Sequence, residues 1–526
     1  DQIAKTEEKT RNNANLVLQY KPSENLEFTA DALYSKYDVE YRQDILAHWF
    51  TKDQLTDVEL DNNGTLVKMS MGKGSNSDVL VRQSQTSNEL IALGFNADWN
   101  VTNDLNLTFD VSYSEAKSDP KAGTTDTVAS RPGDYTYDRS SGSQLPELTF
   151  DRTPSASGLK AGWGERFGDT VEDEVLEAKI DGEWIVDTGP LSKIGFGVMS
   201  SDRTLSSKYS RTTRPLPWLW GDNTTPIILP ESMFSTYDAD GFLSGGSGNP
   251  EQSWLTFNSD EFFDYLTSSA VVAQMDDPAA AQQLIDENNG FTMHQVPWTY
   301  EVNEALAAVY TDFYFDGEIA GMPWSITTGI RYVETTSTSD GFAVPLLDLE
   351  PSVGKPGFVN AIEGDDYAPV SVKNTYDNWL PSLNAKIDIV EDVIARFAYS
   401  QSITRPELDE LSPESSYSGG DINHLTGSGS NPALMPFEST NFAFGLEWYY
   451  DEGRYAAVAM VTNDVDGYLS TEEVDEVVTV PSGTYNYKIS RPVNSDQADI
   501  EGYEIAIQHM FTSLPAPFDG LGFIAN

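Results

Sequence analysis

The feature that most constrains this chain is a strict alternation of apolar and polar residues in paired runs. In residues 93–99 every odd position is apolar, and after the turn 100–104 the run 105–113 repeats that order. Period-2 alternation indicates β-strands with one apolar and one polar face. A soluble sandwich buries the apolar face between two sheets, whereas a membrane barrel turns that face toward lipid. The pattern therefore leaves these two all-β architectures.

The same hairpin recurs along the chain. Fourteen strands are predicted, at 14–20, 26–34, 93–99, 105–113, 174–186, 194–198, 303–315, 324–334, 383–388, 393–401, 441–450, 455–462, from 503 and from 521. Short turns within the hairpins alternate with long connections at 38–87, 117–171, 207–297, 338–377, 405–438 and 465–498. Strands joined only to sequence neighbours, with all long loops on one side, favour a transmembrane antiparallel up-and-down β-barrel.

The longest connection, 207–297, is too long to be structureless in a compact protein and is expected to be functional. Part of it, 260–287, has apolar residues at helical spacing. The sequence therefore predicts a long outward loop that contains a little helix.

Composition narrows the possible functions. The 526 residues include 83 acidic and 32 basic side chains, a formal charge of -51, so nucleic acid is not an expected partner. There is no cysteine, which excludes disulfides and thiolate metal sites. The mean hydropathy of -0.40 fits a barrel, in which every second strand residue can be polar. No Pro/Gly/Ser linker divides the chain, so one large repetitive sheet is predicted.

More specific motifs begin near residue 378. They are W-L-P-S-L-N at 379–384, Y-S-Q-S-I-T-R-P at 399–406, G-S-N-P-A-L-M-P-F-E-S-T-N at 429–441, L-E-W-Y at 446–449 and G-Y-E at 502–504. In this order they resemble TonB-dependent outer-membrane receptors, specifically the proteobacterial group first recognised in xanthomonads and caulobacters. The third motif is one residue longer between Gly429 and Asn431 than the family pattern. The motifs cover about 380–525. Residues 1–370 share with the family only the alternation of hairpins and long connections.

The resemblance implies a 22-stranded barrel in the outer membrane of a Gram-negative bacterium, filled by an amino-terminal plug and energised by TonB, ExbB and ExbD. Residues 1–526 are then expected to be a partial barrel domain of about 14 strands, with the plug, the TonB box and the first and last strands outside this chain. The expected surroundings are outer-membrane lipid and lipopolysaccharide, with a surface lipoprotein as a possible partner. The prolines of the motifs are expected to be structural, since proline cannot donate a ladder hydrogen bond.

Candidate ligand contacts lie in the longest connection. Aromatic faces stack on sugar rings and on aromatic ligands, and neighbouring charged and amide groups bond hydroxyls. On that basis the predicted ligand-binding residues are Trp218, Trp220, Tyr237 and Trp254, with Arg211, Arg214, Asp222 and Asn223. The alternative is a local hydrophobic cluster that folds the loop on itself.

No catalytic constellation is visible, so an enzyme is not expected, and no cofactor is predicted. The four histidines His48, His294, His424 and His509 have no spacing suited to zinc, and no metal site is predicted. The expected function is TonB-energised uptake of a bulky, scarce nutrient. An oligosaccharide is favoured because the resembled group often serves carbohydrate uptake. The alternatives are a ferric-siderophore receptor and a passive porin or structural, adhesive barrel.

Overall fold

The computed structural model consists mainly of long antiparallel strands. It describes residues 1–50, 54–71, 76–150, 155–213, 216–221, 223–239, 241, 243, 245–247, 251–343, 345–352, 357–364, 368–495 and 497–526. The strands are β1 (Gln2–Ser23), β2 (Leu26–Trp49), β3 (Leu55–Leu60), β4 (Leu66–Met71), β5 (Asn76–Asn100), β6 (Leu105–Asp119), β7 (Thr124–Pro132), β8 (Tyr135–Asp138), β9 (Glu147–Phe150), β10 (Lys160–Thr188), β11 (Leu191–Thr212), β12 (Phe234–Asp238), β13 (Ser253–Phe257), β14 (Met293–Ile319), β15 (Met322–Ala343), β16 (Leu346–Pro351), β17 (Phe358–Glu363), β18 (Ala368–Val390), β19 (Val393–Thr404), β20 (Ser415–Tyr417), β21 (Gly420–Asp421), β22 (Leu425–Gly429), β23 (Phe437–Asp451), β24 (Arg454–Asp466), β25 (Leu469–Val480), β26 (Gly483–Asn494), β27 (Ala498–Met510) and β28 (Gly522–Ala525).

Helix is confined to the connections. The α-helices are α1 (Ser259–Leu266), α2 (Ser269–Val272) and α3 (Pro278–Glu287), and short 3-10 helices cover Leu216–Trp218, Glu231–Met233 and Leu408–Leu411. The predicted helical stretch 260–287 is therefore confirmed. Among the described residues no helix has both the length and the apolar character needed to cross a bilayer.

Fourteen strands form one antiparallel path in the order β1-β2-β5-β6-β10-β11-β14-β15-β18-β19-β23-β24-β27-β28. β7 continues the line of β6 after the turn 120–123 and likewise pairs with β5 and β10. The strands left out of the path all belong to the long connections. The predicted fourteen-strand, up-and-down order is confirmed. If the strands of the long connections are set aside, each strand pairs with the one that follows it in the sequence.

The two faces of this sheet differ as the alternation requires. Phe95 lies opposite Val111 and Leu93 opposite Tyr113 in the β5–β6 ladder, and Leu93, Phe95 and Val111 are exposed. On the other face Asn96 Nδ2 donates to Asp110 Oδ2 at 3.2 Å. An exposed apolar face opposite a hydrogen-bonded polar face is the arrangement of a membrane barrel, not of a sandwich.

The strands are longer than predicted. β5 begins at Asn76 and β2 ends at Trp49, so much of the predicted connection 38–87 is strand. β14 likewise has 27 residues, beginning at Met293. Beyond the apolar band both faces of a strand meet water or packed loops, so the period-2 signal disappears although the backbone ladder continues.

The longest connection folds into a compact unit, here called the helical lobe (residues 216–292 where described). Its core contains Trp220, Phe262, Phe263 and Phe291 and packs on Val79 and Val81 of β5. A Cβ at Gly164 of β10 would lie 3.0 Å from the Phe263 ring, so a larger residue at this position would require the ring to shift. Val79 and Val81 have the same parity as Leu93 and Phe95 in an unbroken register. The helical lobe therefore covers the outward side of the strands, above the apolar band.

Three later connections form a second unit, here called the loop cap (346–363, 405–436 and 469–494 where described). β22 pairs parallel with β26, and β21 pairs with β17, so the three connections share backbone hydrogen bonds. Leu408, Leu411 and Leu434 pack on Val302 of β14. Val302 points to the same side as Tyr310, away from the exposed Val309. The loop cap therefore closes over the inward, polar side of the sheet.

Candidate ligand-contact site

Two of the predicted ligand contacts, Trp220 and Trp254, are buried core residues of the helical lobe. Trp220 is 2% exposed and stacks on Phe291 with ring centroids 5.2 Å apart. Trp254 is 1% exposed, packs against Tyr237 at 5.3 Å and belongs to a cluster with Leu46 of β2. Side chains buried to this degree offer almost no surface to a ligand in this arrangement. For these two tryptophans the alternative, a cluster that folds the loop on itself, describes the packing better.

Trp218 and Tyr237 remain partly accessible. Trp218 stacks on Trp163 of β10 with centroids 5.3 Å apart, and Tyr237 lies in β12, paired with β13. They are the predicted aromatic residues that keep some surface, and ligand contact by them stays a prediction.

The predicted polar contacts have structural partners. Arg211 and Glu165 are both buried and form an ion pair between the β10 and β11 strands. Asn223 Nδ2 donates to the carbonyl oxygens of Thr225 at 2.6 Å and Gln274 at 3.2 Å, and its Oδ1 accepts from Asp276 N at 2.7 Å. Asn223 therefore fastens the segment before the helices to the end of α2. Arg214 and Asp222 lie outside the described residues.

The same region contains a polar cleft that the sequence reasoning missed. A cavity of about 540 Å3 lies between α1 and α3, with Asp264, Gln282, Asp286 and Asn289 among its lining residues and Phe263 and Phe291 at its base. These residues are separated along the chain and come together only through the helix packing. The available signal was weak: Asn258 and Asp277 precede α1 and α3 and act as their N-caps, which predicts two helices but not the space between them.

Residues in and beside the family-type motifs contact neighbouring strands. Arg405, which follows β19, lies 3.7 Å from Glu304 Oε2 of β14 and donates to Thr335 Oγ1 of β15 at 3.2 Å. Asn378 Nδ2 of β18 donates to Glu438 Oε1 of β23 at 2.8 Å. Both contacts tie the ends of the 405–436 connection to the wall of the sheet. The structural role expected for the motif prolines themselves stays a prediction.

One carboxylate is buried among the strands above the apolar band. Asp78 of β5 is 0% exposed and lies between Ala47 of β2 and Ser130 of β7 in the ladder. Burial raises the pKa of the Asp78 carboxyl to about 6, and the neighbouring Ser130 and Lys160 offset only part of this effect. The pKa of Asp78 is therefore closer to neutral pH than that of an exposed aspartate.

Acidic side chains meet at one place on the outward face. Oxygen atoms of Glu115, Glu172 and Glu174 lie within 4.8 Å of one another on β6 and β10. Lys117 lies 3.6 Å from Glu172, and Tyr113 donates to Glu115 at 3.0 Å. These neighbours balance part of the negative charge, and the group is exposed or half-buried, as solvated surface carboxylates are.

The comparisons with known proteins agree with this architecture. A family model described as TonB dependent receptor-like, beta-barrel matches residues 133–526, about three-quarters of the chain. The chain belongs to the TonB-dependent receptor family. Barrels of this family lie in the outer membrane of Gram-negative bacteria and serve transport. The prediction made from the motifs at 379–522 is confirmed. The match begins at residue 133, far upstream of the motifs, where only the alternation of hairpins and long connections indicated this family.

Solved structures similar to this receptor chain include a mutant ferric enterobactin receptor from Pseudomonas aeruginosa, with 13% identity, 96% of this chain and 60% of that chain covered, and a TM-score of 0.36. The ferric-catecholate import receptor Fiu from Escherichia coli has 11% identity, coverage of 97% and 62%, and a TM-score of 0.42. A Serratia marcescens hemophore receptor, HasR, has 10% identity, coverage of 95% and 60%, and a TM-score of 0.34. The chain spans less than two-thirds of the length of each. Similarity of this degree says nothing about the ligand of this receptor. No curated protein matches the chain.

Proposed function

We propose that this chain is the greater part of the barrel of a receptor that captures a neutral oligosaccharide at the cell surface and imports it with energy supplied through TonB. The whole receptor would contain 22 strands, of which fourteen in one path are present here. The plug that fills the barrel and contacts TonB, ExbB and ExbD would come from sequence outside this chain. A surface lipoprotein that feeds ligand to the loops is compatible with this scheme.

The observation that carries the choice of ligand is the charge balance. With 83 acidic against 32 basic side chains, the receptor chain has a formal charge of -51. A field of this sign repels anions and slows their approach, whereas it leaves a neutral ligand unaffected. Ferric complexes of catecholate and carboxylate chelators are anionic, so this surface is poorly suited to them. A neutral oligosaccharide is the bulky nutrient that such a surface admits.

The inward face supports passage of a hydroxyl-rich ligand. Hydrogen-bonding groups such as Asn96, Asp110, Asn441 and Ser402 lie on this face of the strands, where Asn441 Nδ2 donates to Ser402 Oγ at 3.0 Å. Side chains that already exchange hydrogen bonds with each other or with water can exchange them with sugar hydroxyls at little net cost.

Calorimetry on the purified full-length receptor tests the ligand class. We expect binding to at least one member of a panel of neutral xylo-, malto- and galacto-oligosaccharides, with an affinity that is insensitive to ionic strength because no net charge is paired. Binding of a ferric siderophore, with no saccharide bound, would contradict the proposal and favour iron uptake. Induction of the gene by iron starvation instead of by a glycan would point the same way.

Uptake of labelled ligand in cells tests the energy source. We expect import to stop when TonB is deleted, while binding to the cell surface persists, because capture by the loops needs no energy. Import that continues unchanged without TonB would show a passive porin. Surface display with neither binding nor import would show a structural or adhesive barrel.

A further inference from the structure

We infer that the cleft between α1 and α3 of the helical lobe is a capture subsite for one end of a neutral oligosaccharide. The inference rests on the proposed function and adds a place and a set of residues to it. The cleft has a volume of about 540 Å3, within the range of roughly 300–1,000 Å3 typical of small-molecule sites. The cleft lies on the outward side of the strands, above the apolar band, and not on the inward side of the barrel.

The cleft is lined mainly by polar groups, because the Phe263 and Phe291 rings at its base are each only 5% exposed. The Phe263 and Phe291 rings have centroids 4.1 Å apart, and the guanidinium of Arg166 lies 4.9 Å from the Phe263 ring centre. Since these rings offer little surface, we expect a sugar to be held in the cleft mainly by hydrogen bonds between its hydroxyls and the polar groups around them.

The rim offers both donors and acceptors in fixed positions. Gln282 Nε2 donates to Asp286 Oδ1 at 2.7 Å, which holds the amide and carboxylate side by side. Among the described residues, the Asp264 carboxylate accepts no side-chain hydrogen bond and forms no ion pair, and it is exposed. Sugar hydroxyls donate to carboxylates and accept from amides, so this combination suits them. Asp264 and Asp286 would repel an anionic ligand.

The cleft is held rigid by its frame. Asn258 caps α1 by accepting from Asp260 N at 2.8 Å, and Asp277 caps α3 by accepting from Ala280 N at 3.0 Å. The apolar side of both helices is buried in the lobe core. A frame formed before the ligand arrives lowers the entropy lost on binding.

A second cavity beside the first leaves room for a ligand longer than one sugar. It has a volume of about 550 Å3, includes Tyr41, Gln85 and Thr125, and shares Arg166 with the first cavity. Arg166 Nη2 donates to Asp260 Oδ1 at 2.6 Å and so forms a fixed boundary between the two spaces. An extended chain could occupy both cavities across this ion pair, whereas a compact ligand would fill only one.

The test uses the full-length receptor and a matched pair of variants. Asp286 and Glu287 are neighbours on α3, and each accepts from a glutamine four residues earlier at 2.7 Å, but only Asp286 lines the cleft. The cleft variant is Asp264→Ala with Asp286→Ala, and the control is Glu261→Ala with Glu287→Ala. All four side chains are exposed, so both variants are expected to fold.

Calorimetry with the neutral oligosaccharide panel gives the readout. We expect the cleft variant to bind at least about tenfold more weakly, as for the loss of hydrogen bonds to charged groups, and the control to bind like the wild type. If the wild type binds a saccharide and the cleft variant binds equally well, the subsite is refuted and the proposed function stands. If the wild type binds no saccharide, both are refuted.

Discussion

The outward position of Phe444 allows us to predict how much a charge on the membrane face destabilises the barrel. Phe444 is 51% exposed and lies on β23 four residues before Trp448, which is equally exposed. At about 3.3 Å per residue and a tilt of about 40°, four residues correspond to roughly 10 Å along the membrane normal. The apolar band of such barrels is about 25 Å tall and bordered by aromatic residues, so Phe444 lies close to its middle.

Phe444→Arg is therefore expected to lower the free energy of unfolding from lipid by about 2–4 kcal/mol, the cost of an arginine near the bilayer midplane. Ala443→Arg is the matched control, because the preceding residue lies at the same depth but points to the polar side. The measurement is equilibrium unfolding by guanidinium of the full-length receptor in phospholipid vesicles. The same contrast is expected between Leu446 and Glu447.

Equal destabilisation by Phe444→Arg and Ala443→Arg would refute the assignment of the two faces. A larger loss for Ala443→Arg would invert it and would favour a sandwich core. A loss in both variants that disappears in detergent would instead show that insertion, and not the folded barrel, is affected.

Further predictions concern the lobe, the cap and the upper strands. Trp220→Ala should destabilise the helical lobe by about 3–5 kcal/mol and open it to limited proteolysis, with a smaller effect for the more accessible Trp218→Ala. Arg405→Met should leave the 14% exposed Glu304 carboxylate without this partner and cost about 1–3 kcal/mol, seen as faster protease cleavage in 405–436; adding Glu304→Gln should restore part of the loss. The pKa of Asp78 is raised to about 6 from 3.8, so the stability contributed by its protonated form is present below pH 4 and lost as the pH rises through 6. Asp78→Asn should therefore become progressively more stable than wild type between about pH 4 and 7, approaching about 3 kcal/mol in denaturant unfolding and staying constant at higher pH; a difference that does not change between pH 4 and 7 would contradict this.

The sequence determined the repetitive part of the fold. Alternation in segments such as 93–99 and 105–113 depends only on which side chains avoid water, and a strand has just two faces to which they can be assigned. The strand count, their order and the outward direction of Phe95 and Val111 followed from that rule and are seen in the structure. The motifs at 379–449 added the family. Two of them, 399–406 and 429–441, span strand ends where proline and asparagine restrict the backbone, whereas 379–384 lies within β18 with Pro381 in the ladder.

Tertiary structure decided which side chains of the long connections are buried and which spaces they enclose. Trp220 and Trp254 are of a residue type that often contacts ligands. Residues far away in the sequence pack around them and bury them. The cleft that carries Asp264 and Asp286 exists only because α1 and α3 pack beside Arg166 of β10. No periodicity records a contact between a helix and a distant strand. Side-chain burial in such loops is set by long-range packing, whereas the strands are set by local alternation, and for this reason the sequence predicted the barrel wall and missed the cleft.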